Sequence, residues 1–159
     1  MYYEDVFKEL KKGEIRYLAI GGVAVNLYGF TRTTLDLDLI ISLDAANREK
    51  FLSVMKKLRF KIHKPALAEK LMLGKYAPGK IKVLTFYRDE FELIDVFIQE
   101  TLDFEKAYKN KKTFKSGKTS IDAVPYDMLL SMKRETGREK DLLDIGHLEK
   151  IKEMKNNEK

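Results

Sequence analysis

The chain has 159 residues, with 31 Lys and Arg against 25 Asp and Glu, a net charge of +6 and no cysteine. That length suits a single domain, while the missing thiols exclude a disulfide framework and a thiolate metal site, and two separated histidines, His63 and His147, exclude a zinc cluster. No signal-peptide pattern opens the sequence and no apolar run reaches the roughly 20 residues of a membrane span, so a cytoplasmic protein with no membrane partner is expected, its basic excess favouring a polyanionic one.

The first element is a helix over YEDVFKELKK, with Val6, Phe7 and Leu10 on one face and Gly13 as its stop. Ile15 to Ile20 reads as a strand that runs into Gly21-Gly22, and VAVNLYG as a short helix closed by Gly29. LDLDLIIS alternates with period two, which predicts a strand with Leu35, Leu37, Leu39 and Ile41 on one face and Asp36, Asp38 and Ile40 on the other. A helix with Phe51, Met55 and Leu58 inward follows, capped by Ser42 or Asp44. ALAEKLML predicts a helix and APGK a loop. IKVLTFYR and FELIDVFI form a strand pair turning at Asp89 and Glu90. TLDFEKAYKN predicts a short helix, and KTFKSGKTSIDAV a second hairpin turning near Ser116 and Gly117. Pro125 opens a helix over PYDMLLSMKRE, and REKDLLDIGHLEKIKEM a last one with Leu142, Ile145, Leu148 and Ile151 inward.

Hairpins interleaved with helices predict an α/β (α+β) fold, with a mixed central sheet flanked by helices. Residues 1–151 form one expected domain, with a polar tail over 152–159.

Asp36 and Asp38 alone fit an exposed strand face, because a buried carboxylate costs several kcal/mol unless paired, hydrogen-bonded or bound to metal. Asp95, a single charge within LIDVFI, alters that balance. A strand so apolar belongs in the centre of the sheet, and if it pairs with the Asp36 strand three carboxylates converge, the oxygen cluster that a hard divalent cation takes together with substrate phosphates. Gly21-Gly22, between a strand and a helix start, offers bare backbone N–H groups to an anion. Arg32, Thr33 and Thr34 either bind phosphate or close the loop. Lys133 either reaches a phosphate or snorkels at a helix margin, and Asp141 either serves the site or complements its helix dipole.

The stretch GGVAVNLYGFTRTTLDLDLII resembles the signature of the nucleotidyltransferase superfamily that includes DNA polymerase beta. Its glycine pair and R-x-T-x-D-x-D-L run are similar to the minimal nucleotidyltransferase toxins of abortive-infection and toxin–antitoxin systems. The resemblance implies a polymerase-beta-like core and transfer of a nucleoside monophosphate from a nucleoside triphosphate to an acceptor hydroxyl, with release of pyrophosphate. It implies two Mg2+ ions on Asp36, Asp38 and Asp95, which are also the catalytic residues. Gly21, Gly22, Arg32, Thr34, Lys133 and Asp141 would bind the nucleotide, the last two matching a late lysine and an R-x-K-D-x-x-D-like run, Arg138 to Asp144. The implied acceptor is an RNA 3′ end (tRNA) or a protein, and the implied partner an antitoxin or a second copy. Gly22 stands where many superfamily members have serine, and the further helical region of the longer toxins has no counterpart. The rivals are a non-catalytic nucleotide- or partner-binding relic of the same fold and a metal-dependent hydrolase or glycosyltransferase; retention of all three acids disfavours the relic, and the glycine turn ahead of them disfavours the other.

Overall fold

The structure, a computed structural model, describes residues 3–75, 82–98 and 102–159. Helix α1 (Glu4–Lys12) buries Val6, Phe7 and Leu10 and ends at Gly13. Strand β1 (Tyr17–Ile20) is buried throughout and turns directly into α2 (Gly21–Leu27). β2 (Asp36–Ile41) leads to α3 (Ala45–Lys57), which Asp44 caps by accepting the Asn47 N–H at 2.9 Å. Ser42 supports that cap, its hydroxyl donating to Asp44 at 2.6 Å. Next come β3 (Lys61–Ile62), α4 (Pro65–Met72), β4 (Lys82–Arg88), β5 (Glu92–Ile98) and α5 (Phe104–Lys109). The chain ends with β6 (Lys112–Ser116), β7 (Thr119–Ala123), α6 (Tyr126–Thr136) and α7 (Glu139–Asn157).

The seven strands make one mixed sheet in the order β3-β4-β5-β2-β1-β7-β6. β2 pairs parallel with β5 and β1 parallel with β7, while the hairpins and the β1–β2 pair are antiparallel. Period-two alternation sends Leu37, Leu39 and Ile41 to the face where α1 and α3 pack, and the Phe7 and Tyr17 rings meet there at 6.0 Å. Each fully buried side chain of this layer, such as Phe7, Leu39 or Phe51, contributes about 1.5–3 kcal/mol through area removed from water. The opposite face of β2 carries Asp36 and Asp38. Because β1 and β2 are antiparallel with Ile20 opposite Asp38, the chain leaves β1 at Gly21 right beside the acids.

Several details depart from the sequence reading. Leu35 is 68% exposed, since β2 starts one residue later, at Asp36. The β4–β5 turn holds Asp89, Glu90 and Phe91, with Asp89 in the left-handed region, so Phe91 is exposed rather than part of the strand. Leu142 is 57% exposed: the buried stripe of α7 is Asp141, Asp144, Ile145 and Leu148, because its first turn faces a polar pocket. α7 continues to Asn157, through most of the stretch read as a polar tail. Ile81 and the APGK loop lie outside the described residues. Among the described residues, no helix is long and apolar enough to cross a membrane.

Candidate functional site

The Asp-bearing face of β2 and β5 opens into a cleft of about 460 Å3. Parallel register brings Asp38 of β2 level with Asp95 of β5, and Asp36 lies one pleat away on the same face, level with Leu93. Neighbouring strands run about 4.8 Å apart, so three carboxylates gather at one end of the sheet. Asp36 and Asp38 accept no side-chain hydrogen bond and make no ion pair among the described residues. Burial first, and then the charges of Asp95 and Asp36, push the Asp38 carboxyl up to about 7. Asp95 is raised as well, mainly by burial, although its Oδ1 accepts the Thr85 hydroxyl at 2.7 Å, which favours its charged form.

The glycine pair fits tightly against this cluster. Gly21 has φ +62, and a Cβ there would overlap the Asp38 carboxylate. A Cβ on Gly22 would stand 2.5 Å from Thr34 Oγ1 and 3.3 Å from the Arg32 guanidinium. The glycines thus make room for the acid and for the loop that follows as well as baring their N–H groups. Asn26 holds that loop from α2, its side-chain amide donating to the Arg32 carbonyl at 2.9 Å and accepting the Arg32 N–H at 3.0 Å.

The wall across from the acids is basic. Lys133 of α6 is only 6% exposed, and its ammonium lies 3.2 Å from Asp141 and 2.8 Å from Asp144, both on α7. It neither snorkels nor ends free in the cleft; it is clamped at the cleft wall. Arg32 makes a two-pronged contact with Asp144, at 2.8 and 2.9 Å. Asp141 also accepts from the Thr136 hydroxyl and from Arg138, both at 2.8 Å. Burial raises the Asp141 pKa, but the bonds from Arg138, Thr136 and Lys133 outweigh it and hold the group well below the usual carboxylate range. Three cations thus share two buried carboxylates, and Lys140, free of ion pairs among the described residues, adds a further charge at the rim.

All nine candidate residues, Gly21, Gly22, Arg32, Thr34, Asp36, Asp38, Asp95, Lys133 and Asp141, line this one cleft. Sequence reasoning missed Thr85, which a hairpin register with three turn residues would have set opposite Asp95. It also assigned no role to Asp144, Arg138 or Asn26; the only signal for the first two was their place in the R-x-K-D-x-x-D-like run. His147 stacks on Phe30 with ring centroids 4.0 Å apart, away from the acids. A second cleft, of about 610 Å3, lies around Arg88, whose guanidinium is neutralised by Asp5 and Glu92.

The donor set fits a hard cation in one particular way. Among the described residues no three acidic or histidine side chains form a ready-made metal cage. Carboxylates without partners beside a cationic wall suit instead a magnesium ion held by one or two acids and completed by substrate phosphates.

No protein-family profile matches the sequence, and no curated protein matches it. Solved structures share its fold. The lincosamide antibiotic adenylyltransferase LnuA, solved with lincomycin bound, superposes with a TM-score of 0.64 at 16% identity over 92% of this chain and 94% of its own. A candidate nucleotidyltransferase from Thermotoga maritima superposes with a TM-score of 0.57 at 13% identity over 98% of this chain and 90% of its own. The chain shares the fold of these two structures.

Proposed function

We propose that this protein is a nucleotidyltransferase that moves a nucleoside monophosphate from a nucleoside triphosphate to an acceptor hydroxyl. The observation that carries the reading is the register of Asp38 with Asp95, which sets three acids with no cation paired to them against a basic wall in one cleft. Asp36 and Asp38, with Asp95 beside them, would hold magnesium, which when bound neutralises phosphate charge and favours loss of pyrophosphate. Gly21 and Gly22 N–H groups and the Arg32, Lys133 and Lys140 side chains would orient the triphosphate. The acceptor oxygen attacks the α-phosphorus, the bond to the pyrophosphate oxygen breaks, and the acceptor proton passes to the carboxylate oxygen of Asp95 that Thr85 leaves free.

The test is incubation with each α-phosphate-labelled nucleotide, magnesium, and either total RNA or cell protein. Label on an acceptor, lost with chelator and in Asp38→Asn, supports transfer. Magnesium-dependent nucleotide binding without transfer supports the relic reading.

A second acceptor class has its own support. Val83 and Tyr87 share a sheet face with Thr85, and both are exposed beside Asp95. That apolar surface suits a hydroxyl on an apolar small molecule, in line with the lincosamide adenylyltransferase that shares the fold. Transfer to a panel of apolar alcohols, with none to RNA or protein, would favour it.

A further inference from the structure

At the opposite edge of the sheet, residues 106–118 hold six lysines and no acid: Lys106, Lys109, Lys111, Lys112, Lys115 and Lys118. Six is also the net charge of the whole chain. None of these six makes an ion pair among the described residues, and the stretch carries no acid of its own to offset them. The neighbouring acids are few: Glu105 pairs with Arg16, Glu4 pairs with Lys8 and also feels Lys118, Asp122 accepts the Thr113 hydroxyl, and Asp103 caps α5. Positive charge is therefore in excess along α5, β6 and the turn after it.

Edge-strand protection explains part of this, because lysines on an outer strand discourage pairing with another chain. It accounts for Lys112 and Lys115 on β6. It gives no reason for Lys106 and Lys109 on α5 or Lys118 in the turn. Partly exposed aromatic rings also lie within the patch. Lys111 Nζ sits 4.0 Å from the Tyr108 ring centroid and Lys112 Nζ 5.2 Å from that of Phe114. These rings are already packed, Tyr108 with Phe104 and Arg16 and Phe114 with Tyr28, so they steady the ammonium groups, and a nucleic-acid strand would meet the patch through its phosphates.

Of the patch, Lys112 stands at the cleft end of the sheet, while Lys115 and Lys118 lie farther along β6 and beyond it. Lys112 pairs with Ala123, and Ala123 pairs with Ala19, two residues before Gly21. The β6 end that faces the cleft thus lies three strand spacings from β2, about 14 Å, a span that a few nucleotides cover.

We infer that the α5–β6 edge is a docking surface for single-stranded RNA, held through its phosphates and without base sequence specificity. Binding there stands independently of catalysis; only delivery of a 3′ end to Asp95 rests on the nucleotidyl-transfer reading.

Fluorescence anisotropy with a labelled mixed-sequence RNA oligonucleotide, between about 50 and 200 mM salt, tests the surface. The edge variant is Lys109→Gln, Lys112→Gln and Lys115→Gln; the control is Lys50→Gln, Lys56→Gln and Lys70→Gln, on exposed positions of α3 and α4. The edge variant should lose tenfold or more in affinity, with a log–log salt slope shallower by about two, each lost phosphate contact removing about 0.7. The control should keep the wild-type slope, and arginine at the three edge positions should restore it. Equal losses in edge and control variants overturn the inference, as does absence of wild-type binding at the lowest salt. Binding to phosphatidylserine vesicles with none to RNA would assign the edge to a membrane and overturn it too. Thermal stabilisation by magnesium ATP, measured on the same proteins, reports the cleft separately, so failure of the edge and failure of the nucleotide site are distinguishable.

Discussion

Asp38 on β2 and Asp95 on β5 stand level on neighbouring parallel strands, and the second raises the pKa of the first. Burial is the larger cause, and together they bring Asp38 to about 7. Thr85, Lys133 and Arg138 offset this only in part, so a fold that holds such a pair works against its own stability, as active sites do.

Asp38→Asn therefore has a predicted sign. In chelator the variant should match the wild type or exceed it by about 0.5–2 kcal/mol at pH 8, since a neutral near-isostere removes the repulsion. A carboxyl with a raised folded pKa stabilises fully below its unfolded value, near 3.8, and that contribution disappears as pH rises to about 7. Urea unfolding across this window should show wild-type stability falling relative to the variant. A variant less stable than the wild type at pH 8 would make Asp38 a structural acid.

Lys133→Ala should cost about 1–3 kcal/mol, because it removes a buried ammonium shared by Asp141 and Asp144, which keep Arg138 and Arg32 as their remaining cations. Asp144→Ala should cost a similar amount, since it leaves Arg32 without its acid and Lys133 with Asp141 alone. The double variant should cost less than the sum, and unfolding of all three proteins measures the coupling. Additive losses would mean that the contacts are energetically separate.

The acids were legible and their partners were not, for a definite reason. Period-two alternation places Asp36 and Asp38 on one face of any strand, and Asp95 stands out in an apolar run, so the cluster needed only the pairing of two strands. The order β5-β2-β1 is a long-range choice that no local pattern encodes. On α7 the apolar spacing set Ile145 and Leu148 inward, as found, but took Leu142 with them, because the inward side chains of its first turn are ionised residues that meet their counter-charges only after folding. Thr85 hid behind a single turn residue: whether two or three residues make the β4–β5 turn decides whether it faces Asp95. The two residues of β3 are too few to show a period.

Gly21→Ala should abolish magnesium-dependent nucleotide binding while the protein remains folded. The left-handed backbone at φ +62 costs alanine about 1–2 kcal/mol, and the new methyl would displace the Asp38 carboxylate. Calorimetry with magnesium ATP, alongside urea unfolding, reads both effects. Unchanged affinity would show that nucleotide binding does not use this corner of the cleft.

Thr85→Val tests the base. The hydroxyl bond to Asp95 Oδ1 lowers a pKa that burial and Asp36 otherwise raise, so its removal should push the Asp95 pKa further up. The acidic limb of kcat/KM should then move to higher pH, with the plateau largely kept, since valine fills the same space and leaves the other oxygen of Asp95 free. Stability should fall by about 0.5–1.5 kcal/mol where Asp95 is ionised, and by less at acidic pH, where the protonated carboxyl no longer needs the donor. A pH–rate profile set beside unfolding at two pH values separates the two effects. If the limb stays in place while stability falls, Thr85 supports the strand pair alone and the proton leaves by another group.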